Sequence, residues 1–322
     1  MNQKIFSRFF YSTALFFGAL FFAFHAANAW EEPETITPTD VYYLAKSIDD
    51  SLVAMYGLTS EFNKKRLSNN IRPRNVYEKL LSVADEFNLI HGNVIDRSRL
   101  NAAREVDILT TKPRDPYRIL SLIKDYLVLQ NKFLEHTESR TPKTPSDVAH
   151  LLRQISYHHV EIARKKGMVT NWSTPGQVYD AIVKDILPVV KGVANEAGLE
   201  YDDYPFPKQP LTGVIPLNVS KLLQHLYKNI SEHYKTRGWY DPLVLIEIND
   251  CDDISPGDSF DFVKVISAEF KAMSGNKRLS SQTAERYRVW KDSKERIVPG
   301  DVYRLLQYNY ILSKRALKKA GR

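Results

Sequence analysis

The chain has 322 residues, 43% of them hydrophobic and 26% charged, with a formal net charge of +7, 13 Gly, 16 Pro and a lone Cys251. This is a globular composition, and it excludes a disulfide framework, a collagen-like fibre and a chain too polar to build a core. Beyond the first 29 residues no stretch is apolar for the roughly 18 residues that a membrane-spanning helix needs.

Residues 1–29 carry Lys4 and Arg8, an apolar run from Phe9 to Phe24, and then Ala27-Asn28-Ala29. A basic start, a short apolar stretch and small residues at its end are expected to form a secretory signal peptide cleaved after Ala29. The leader holds two bases and no acid, so the exported chain carries a formal charge of +5. No Cys lies near the cleavage point to take a lipid anchor. The expected compartment is a bacterial periplasm or the exterior. Sequons at Asn171, Asn218 and Asn229 would suit a secreted eukaryotic protein. Neither a P-loop nor a GxGxxG stretch occurs, and no cofactor is expected.

A short phrase then recurs along the whole exported chain. It starts at Pro38, Pro73, Pro113, Pro145, Pro175, Pro216, Pro256 and Pro299. Its third position is Asp40, Asn75, Asp115, Asp147, Gln177, Asn218, Asp258 and Asp301. Proline followed by a short capping side chain is a helix start, and two registers compete for it. In the first the third residue is the N-cap, as Asp115 before Pro116 implies for unit three. In the second Thr37, Thr144, Thr174 or Ser255 is the N-cap, proline is the first helical residue, and the acid or amide closes a capping box. Seven units run to a glycine stop: Gly57, Gly92, Gly167, Gly198, Gly238, Gly275 and Gly321. Only Gly192 and Gly213 fall outside this punctuation.

Between start and stop, apolar residues recur at helical spacing, as in Val76, Leu80, Leu81, Ala84 and Phe87 or Val178, Ile182, Val183, Ile186 and Val190. Unit four spends Asp147 to Lys166 on one helix and leaves only Gly167 to Thr174, so each unit holds a single long helix and not a helix pair. The expected fold is all-α, eight single-helix repeats packed as an up-and-down array or as two helical bundles. Short extra helices are expected over Ser98 to Val106 and Ser281 to Trp290, and a strand over Leu243 to Ile248. Units one to five are expected at 30–198 and units six to eight at 199–322, unless 30–322 is one continuous body. The proline-rich connection Gly198 to Gly213 marks the division.

Candidate sites follow from residues repeated or clustered. The fifth position of the phrase gives Tyr42, Tyr77, Tyr117, Tyr179 and Tyr303, with Phe260 in unit seven. Such a ladder could stack on a sugar or peptide; equally, each ring could cover the first turn of a neighbouring helix. Lys314, Arg315, Lys318, Lys319 and Arg322 form a basic end that suits an anionic membrane surface or the dipole of its own helix. His150 and His158, or His225 and His233, are eight apart, too far round a helix to share a metal; only His158 and Glu161 have a useful spacing, and no metal is expected. The acidic connection Glu247 to Asp253 lacks the pattern of a calcium loop. Cys251 within it has no cationic neighbour in sequence to activate it.

The function expected is that of an exported, non-enzymatic helical repeat protein, a binding or scaffold module for a protein or another envelope component and not for nucleic acid. The alternative is an enzyme or small-ligand receptor with its pocket between the helical halves. An open flat face would favour the first, and a cavity lined by converging acids or histidines the second.

Overall fold

The computed structural model describes residues 35–168, 174–238, 242–275 and 277–320, so the expected leader, Asn171, Gly321 and Arg322 lie outside the described residues. The described residues hold ten helices and no sheet. They are α1 Pro38–Tyr56, α2 Pro73–His91, α3 Arg97–Arg104, α4 Arg114–Leu129, α5 Pro145–Lys165, α6, α7 Pro216–Lys235, α8 Pro256–Ser274, α9 Ser281–Asp292 and α10 Pro299–Lys319. Helix α6 joins Pro175–Ala181 to Leu187–Glu196 through a π-helical turn, Ile182–Ile186. Pro188 has no N–H to donate, and the wider turn, closed by Leu187 N–H on Ile182 O, absorbs the lost bond.

All eight phrases start a helix, in the second of the two registers. At Thr144 the hydroxyl accepts from Asp147 N–H while Asp147 Oδ2 accepts Thr144 N–H at 2.8 Å, and Thr37 and Ser255 repeat the reciprocal pair. Where the N-cap is Arg72, Ile215 or Val298, the third residue alone closes the turn: Asn75, Asn218 and Asp301 each accept the N-cap N–H at 2.9–3.0 Å. Unit three is corrected accordingly. Lys112 N–H donates to Asp115 Oδ2 at 2.8 Å, so Asp115 is a third-position acceptor and not the N-cap. Pro116 is tolerated because a first-turn proline meets no preceding helical turn, and it forfeits only the bond that Val41 makes to Thr37 O at 3.2 Å in unit one.

The glycine stops behave alike: those described at 57, 92, 167, 198, 238 and 275 all have φ between 58° and 85°. Unit three, which has no glycine there, turns on Asn131 at φ 51°, since Asn tolerates the left-handed region better than most residues. Both extra helices form, as α3 and α9. The expected strand does not. Leu243 to Ile248 is extended, but its partner is a loop, and the pairing is one isolated antiparallel bridge, Ser68 to Leu245, with Ile246 N–H on Leu67 O at 2.8 Å.

Packing resolves the choice of array. Helices α1, α2, α4 and α5 form one bundle with ring order α1, α4, α2, α5; α6, α7, α8 and α10 form a second with ring order α6, α8, α7, α10. Within each bundle the helices run parallel. The first-position prolines Pro38, Pro73, Pro113 and Pro145 meet round one apolar dimple, floored by Val41, Val76 and Val148. Pro175, Pro216, Pro256 and Pro299 meet round another. At the opposite end of the first bundle, Lys165 Nζ donates to Tyr56 O at 3.1 Å and Lys166 Nζ to Ile90 O at 2.9 Å, each capping a neighbour that stops at the same level. Connections such as 57–72 and 130–144 are therefore return runs, long enough when extended to span a 19-residue helix of about 28 Å. The change of bundle falls between α5 and α6. The proline-rich connection 199–215 lies inside the second bundle, as a return run between α6 and α7.

One start phrase carries a steric demand. Gly300, at the second position of α10, lies against the backbone of Leu211, and a Cβ there would sit 2.8 Å from the Leu211 carbonyl carbon. Gly176 occupies the equivalent place in α6 and has its nearest neighbour at 3.7 Å. Gly300→Ala is expected to destabilise the fold by about 2–3 kcal/mol, whereas Gly176→Ala is expected to be neutral or stabilising by about 0.5 kcal/mol; urea denaturation of both variants measures the difference.

Candidate functional site

The two bundles meet along α2 and α8, which run antiparallel. Charged residues hold this seam. Arg74 Nε donates to Glu269 Oε1 at 2.7 Å and Asn75 Nδ2 to the same oxygen at 2.9 Å. Lys271 pairs with Glu78 at 2.5 Å, and Lys79 pairs with Asp261 at 2.6 Å. From α5, Arg153 reaches across with Nε 2.9 Å from Asp261 Oδ2 and Nη2 2.8 Å from Asp258 Oδ1. Its third donor meets Lys65 O at 2.5 Å, in the return run after α1. Lys79, Arg153, Asp258 and Asp261 are all buried.

A second chain of bonds leads into the first bundle. Lys79 Nζ donates to Ser156 Oγ at 2.8 Å, Ser156 donates to Glu86 Oε2 at 2.7 Å, and His159 Nδ1 lies 3.1 Å from that same oxygen. Ser156 thus has its lone pair facing a lysine and its proton on a carboxylate, an arrangement that fixes its orientation.

Burial would raise the Glu86 carboxyl, but the His159 hydrogen bond, Lys79 and Ser156 hold it below the ordinary carboxylate range. The same contest runs at Asp258. Burial raises it, while the Ser255 hydroxyl and N–H, Arg153 and Lys64 bring it down. Asp258 serves two structures at once, with Oδ2 closing the α8 capping box and Oδ1 on Arg153.

Beside this network lies a cleft of about 280 Å³. Its walls come from α2 and α5 on one side, α8 on the other, and residues 60–64 of the return run across the top. It combines the charged groups Lys79, Glu86, Arg153, Asp258 and Asp261 with the rings of Phe62, Tyr157 and Phe260. Rigid helices therefore present both signs of charge and aromatic surface to a volume large enough for a small organic molecule.

The sequence-derived candidates lie largely elsewhere. Tyr77 and Tyr179 are buried, and Tyr42, Tyr117 and Tyr303 are half-buried. Tyr179 stacks on Trp290 of α9 with ring centroids 4.6 Å apart, so the extra helix covers it. Burial, with Asp115 and Glu78 nearby, pushes the Tyr77 hydroxyl up to about 12. The basic end is exposed at Lys314, Arg315, Lys318 and Lys319. Lys319 donates to Gly198 O and Arg315 to Glu200 O at 3.3 Å, tying down the chain beyond α6.

His158 bonds Asp49 at 2.7 Å, and no group of acids, histidines and cysteine among the described residues is arranged to hold a metal ion. His91 stacks on Phe87, and burial, with Lys166 and His159, lowers it to about 4. The acidic connection meets bases from the first bundle: Lys64 pairs with Asp253 at 2.9 Å and Lys65 with Asp252 at 2.5 Å. Cys251 is exposed beside them.

No family model, curated protein or solved structure matches the chain. The cleft is thus read from its own chemistry. Sequence reasoning named Phe260 in the aromatic ladder, Asp258 in the phrase and Glu161 beside His158 but missed the charged network of the cleft, although a signal was present. Lys79 sits among Val76, Leu80 and Val83, Arg153 follows Leu151-Leu152, and Asp261 lies between Phe260 and Phe262. Each is a charge on the apolar stripe of its helix, a place that only a buried partner makes tolerable.

Two expectations follow. Asp261→Ala leaves Lys79 and Arg153 buried with a missing counterion and should cost about 3–5 kcal/mol, whereas Lys79→Met with Asp261→Leu should recover most of that loss in urea denaturation. Acid should also loosen the seam. The folded pKa values of Glu86 and Asp258 are lowered, so their contribution is fully present above the unfolded value of about 4 and is lost as pH falls through the folded values. A stability profile that is flat from pH 5 to pH 2 would contradict this assignment.

Proposed function

We propose that this is an exported binding protein that holds a small polar ligand in the cleft between its two bundles. The observation that carries the reading is the cleft itself, where Lys79, Arg153, Asp258, Asp261 and Glu86 converge with three aromatic rings around about 280 Å³. Converging acids and bases in a concave, helix-walled volume are the feature that separates a receptor from a flat scaffold. The inward position of Tyr77 and Tyr179 removes two rings from any stacking face on the surface. Export rests on the basic and apolar leader of residues 1–29.

The test uses protein purified from cells expressing the full chain. Thermal shift and calorimetry against amino acids, amines, monosaccharides and organic acids should find one class that raises the melting temperature. At a hundredfold excess over Kd, one-site binding adds about 2.7 kcal/mol of stability. Val160→Trp, which fills the cleft from a half-buried wall position, should abolish that shift while leaving the helical signal unchanged. Binding that survives Val160→Trp, or a panel in which nothing binds, would sink the reading.

A further inference from the structure

Helix α10 stands diagonally across its bundle from α8, the helix of the seam, so its outer side faces away from the cleft, and α7 packs beside it. The two helices start level, since Pro216 and Pro299 meet at one dimple, which puts Lys228 level with Ile311 and Lys235 with Lys318. The rings of His225 and Tyr310, 6.4 Å apart, and a hydrogen bond from Asn229 Nδ2 to Ser313 Oγ at 3.2 Å join the two surfaces.

The exposed charges of this pair are nearly all of one sign. Lys228, Lys235, Lys314, Arg315, Lys318 and Lys319 are exposed against one exposed acid, Glu232, and none of the six makes an ion pair among the described residues. No acid follows Asp301 in the chain. Glu200 and Asp202 lie along the edge where Arg315 and Tyr308 meet the connection beyond α6. The helix dipole accounts for bases in the last turn, such as Lys235, Lys318 and Lys319, but not for Lys228 or Lys314 before it. It accounts even less for Ile311, which exposes 55% of its surface among these lysines. Beside it, Lys314 Nζ lies over the Tyr310 ring, 6.0 Å from its centroid.

An anionic bilayer answers both features. It spreads phosphates over a plane wider than two helices, and beneath them it has apolar depth for an isoleucine and a headgroup level that suits tyrosine. Nucleic acid offers the phosphates without a place for Ile311. We propose that the outer faces of α7 and α10 dock on an anionic lipid bilayer, with Lys228, Lys235, Lys314 and Lys318 against headgroup phosphates and Ile311 dipping between them. This surface is separate from the cleft and does not depend on the reading of it.

Cosedimentation of the purified protein with vesicles tests it, using phosphatidylcholine alone and phosphatidylcholine with about 30% phosphatidylglycerol. The protein should sediment with the anionic vesicles, stay in solution with the neutral ones, and be released as NaCl rises from about 0.05 M to about 0.5 M. Lys228→Gln, Lys314→Gln and Lys318→Gln together should weaken binding at least about thirtyfold, at roughly fivefold per base. The same charge removed elsewhere, by Lys132→Gln, Lys208→Gln and Arg278→Gln, should change it less than about threefold. Ile311→Ser should weaken binding about fivefold. All these positions are exposed, so the helical signal in circular dichroism should be unchanged. No binding to the anionic vesicles, equal binding to neutral ones, or equal loss in the two triple variants overturns the proposal. Indifference to Ile311→Ser, or tighter binding to duplex DNA than to the anionic vesicles, overturns the choice of a bilayer as the partner.

Discussion

Four helices launched from one end of a bundle align their dipoles, so about half a positive charge per helix gathers where they start and half a negative charge where they stop. That accumulation is the constraint on which the rest of the structure depends. The repeated phrase answers it at the starting end. Proline at the first position presents no N–H, and in five of the eight units (Asp40, Asp115, Asp147, Asp258 and Asp301) a carboxylate two residues later brings negative charge to the place where four positive ends meet. Its second oxygen then draws in a distant cation: Asp147 holds Arg66 at 2.6 Å, Asp258 holds Arg153 at 2.8 Å and Asp301 holds Lys294 at 2.8 Å. At the stopping end, lysines from one helix donate to the last carbonyls of another. One motif thus caps its own helix, offsets the bundle dipole and fastens the neighbouring chain.

The same habit builds the seam. Buried ion pairs surrender hydration and contribute less net stability than an apolar contact of similar size, but they tolerate few alternative registers. Arg74 on Glu269, Glu78 on Lys271 and Lys79 on Asp261 fix how far α2 slides along α8. A polar junction also leaves polar walls wherever the packing opens, which gives the cleft its mixed charge.

Much of this architecture was legible in the residues. Proline with Asp, Asn or Gln marked all eight long helices, and glycine marked the ends of all but that of unit three, because both signals are local and steric. The register in unit three was misjudged because Asp115-Pro116 satisfies the rule for an N-cap as well as the rule for a first turn. The missing glycine there was covered by Asn131, a substitution that local chemistry allows. Helix direction was not encoded in the phrase, which fixes where a rod begins and not which way its neighbours point; the lengths of 57–72 and 130–144 were the available clue. The seam was harder still. Lys79, Arg153 and Asp261 each look like a polar intrusion in a single helix, and only the antiparallel approach of α2 and α8 makes them partners.

Ring order has an outcome for how the chain reaches this state. Successive helices α1 and α2 stand diagonally across their bundle, as do α4 and α5, so the side-by-side neighbours of α1 are α4 and α5. A nascent polypeptide cannot zip up hairpin by hairpin; its first helix waits, unpartnered, until residues beyond 113 have emerged. Assembly is consequently slow in contact-order terms and late, because each side-by-side pairing closes a long stretch of chain before any packing offsets the lost entropy.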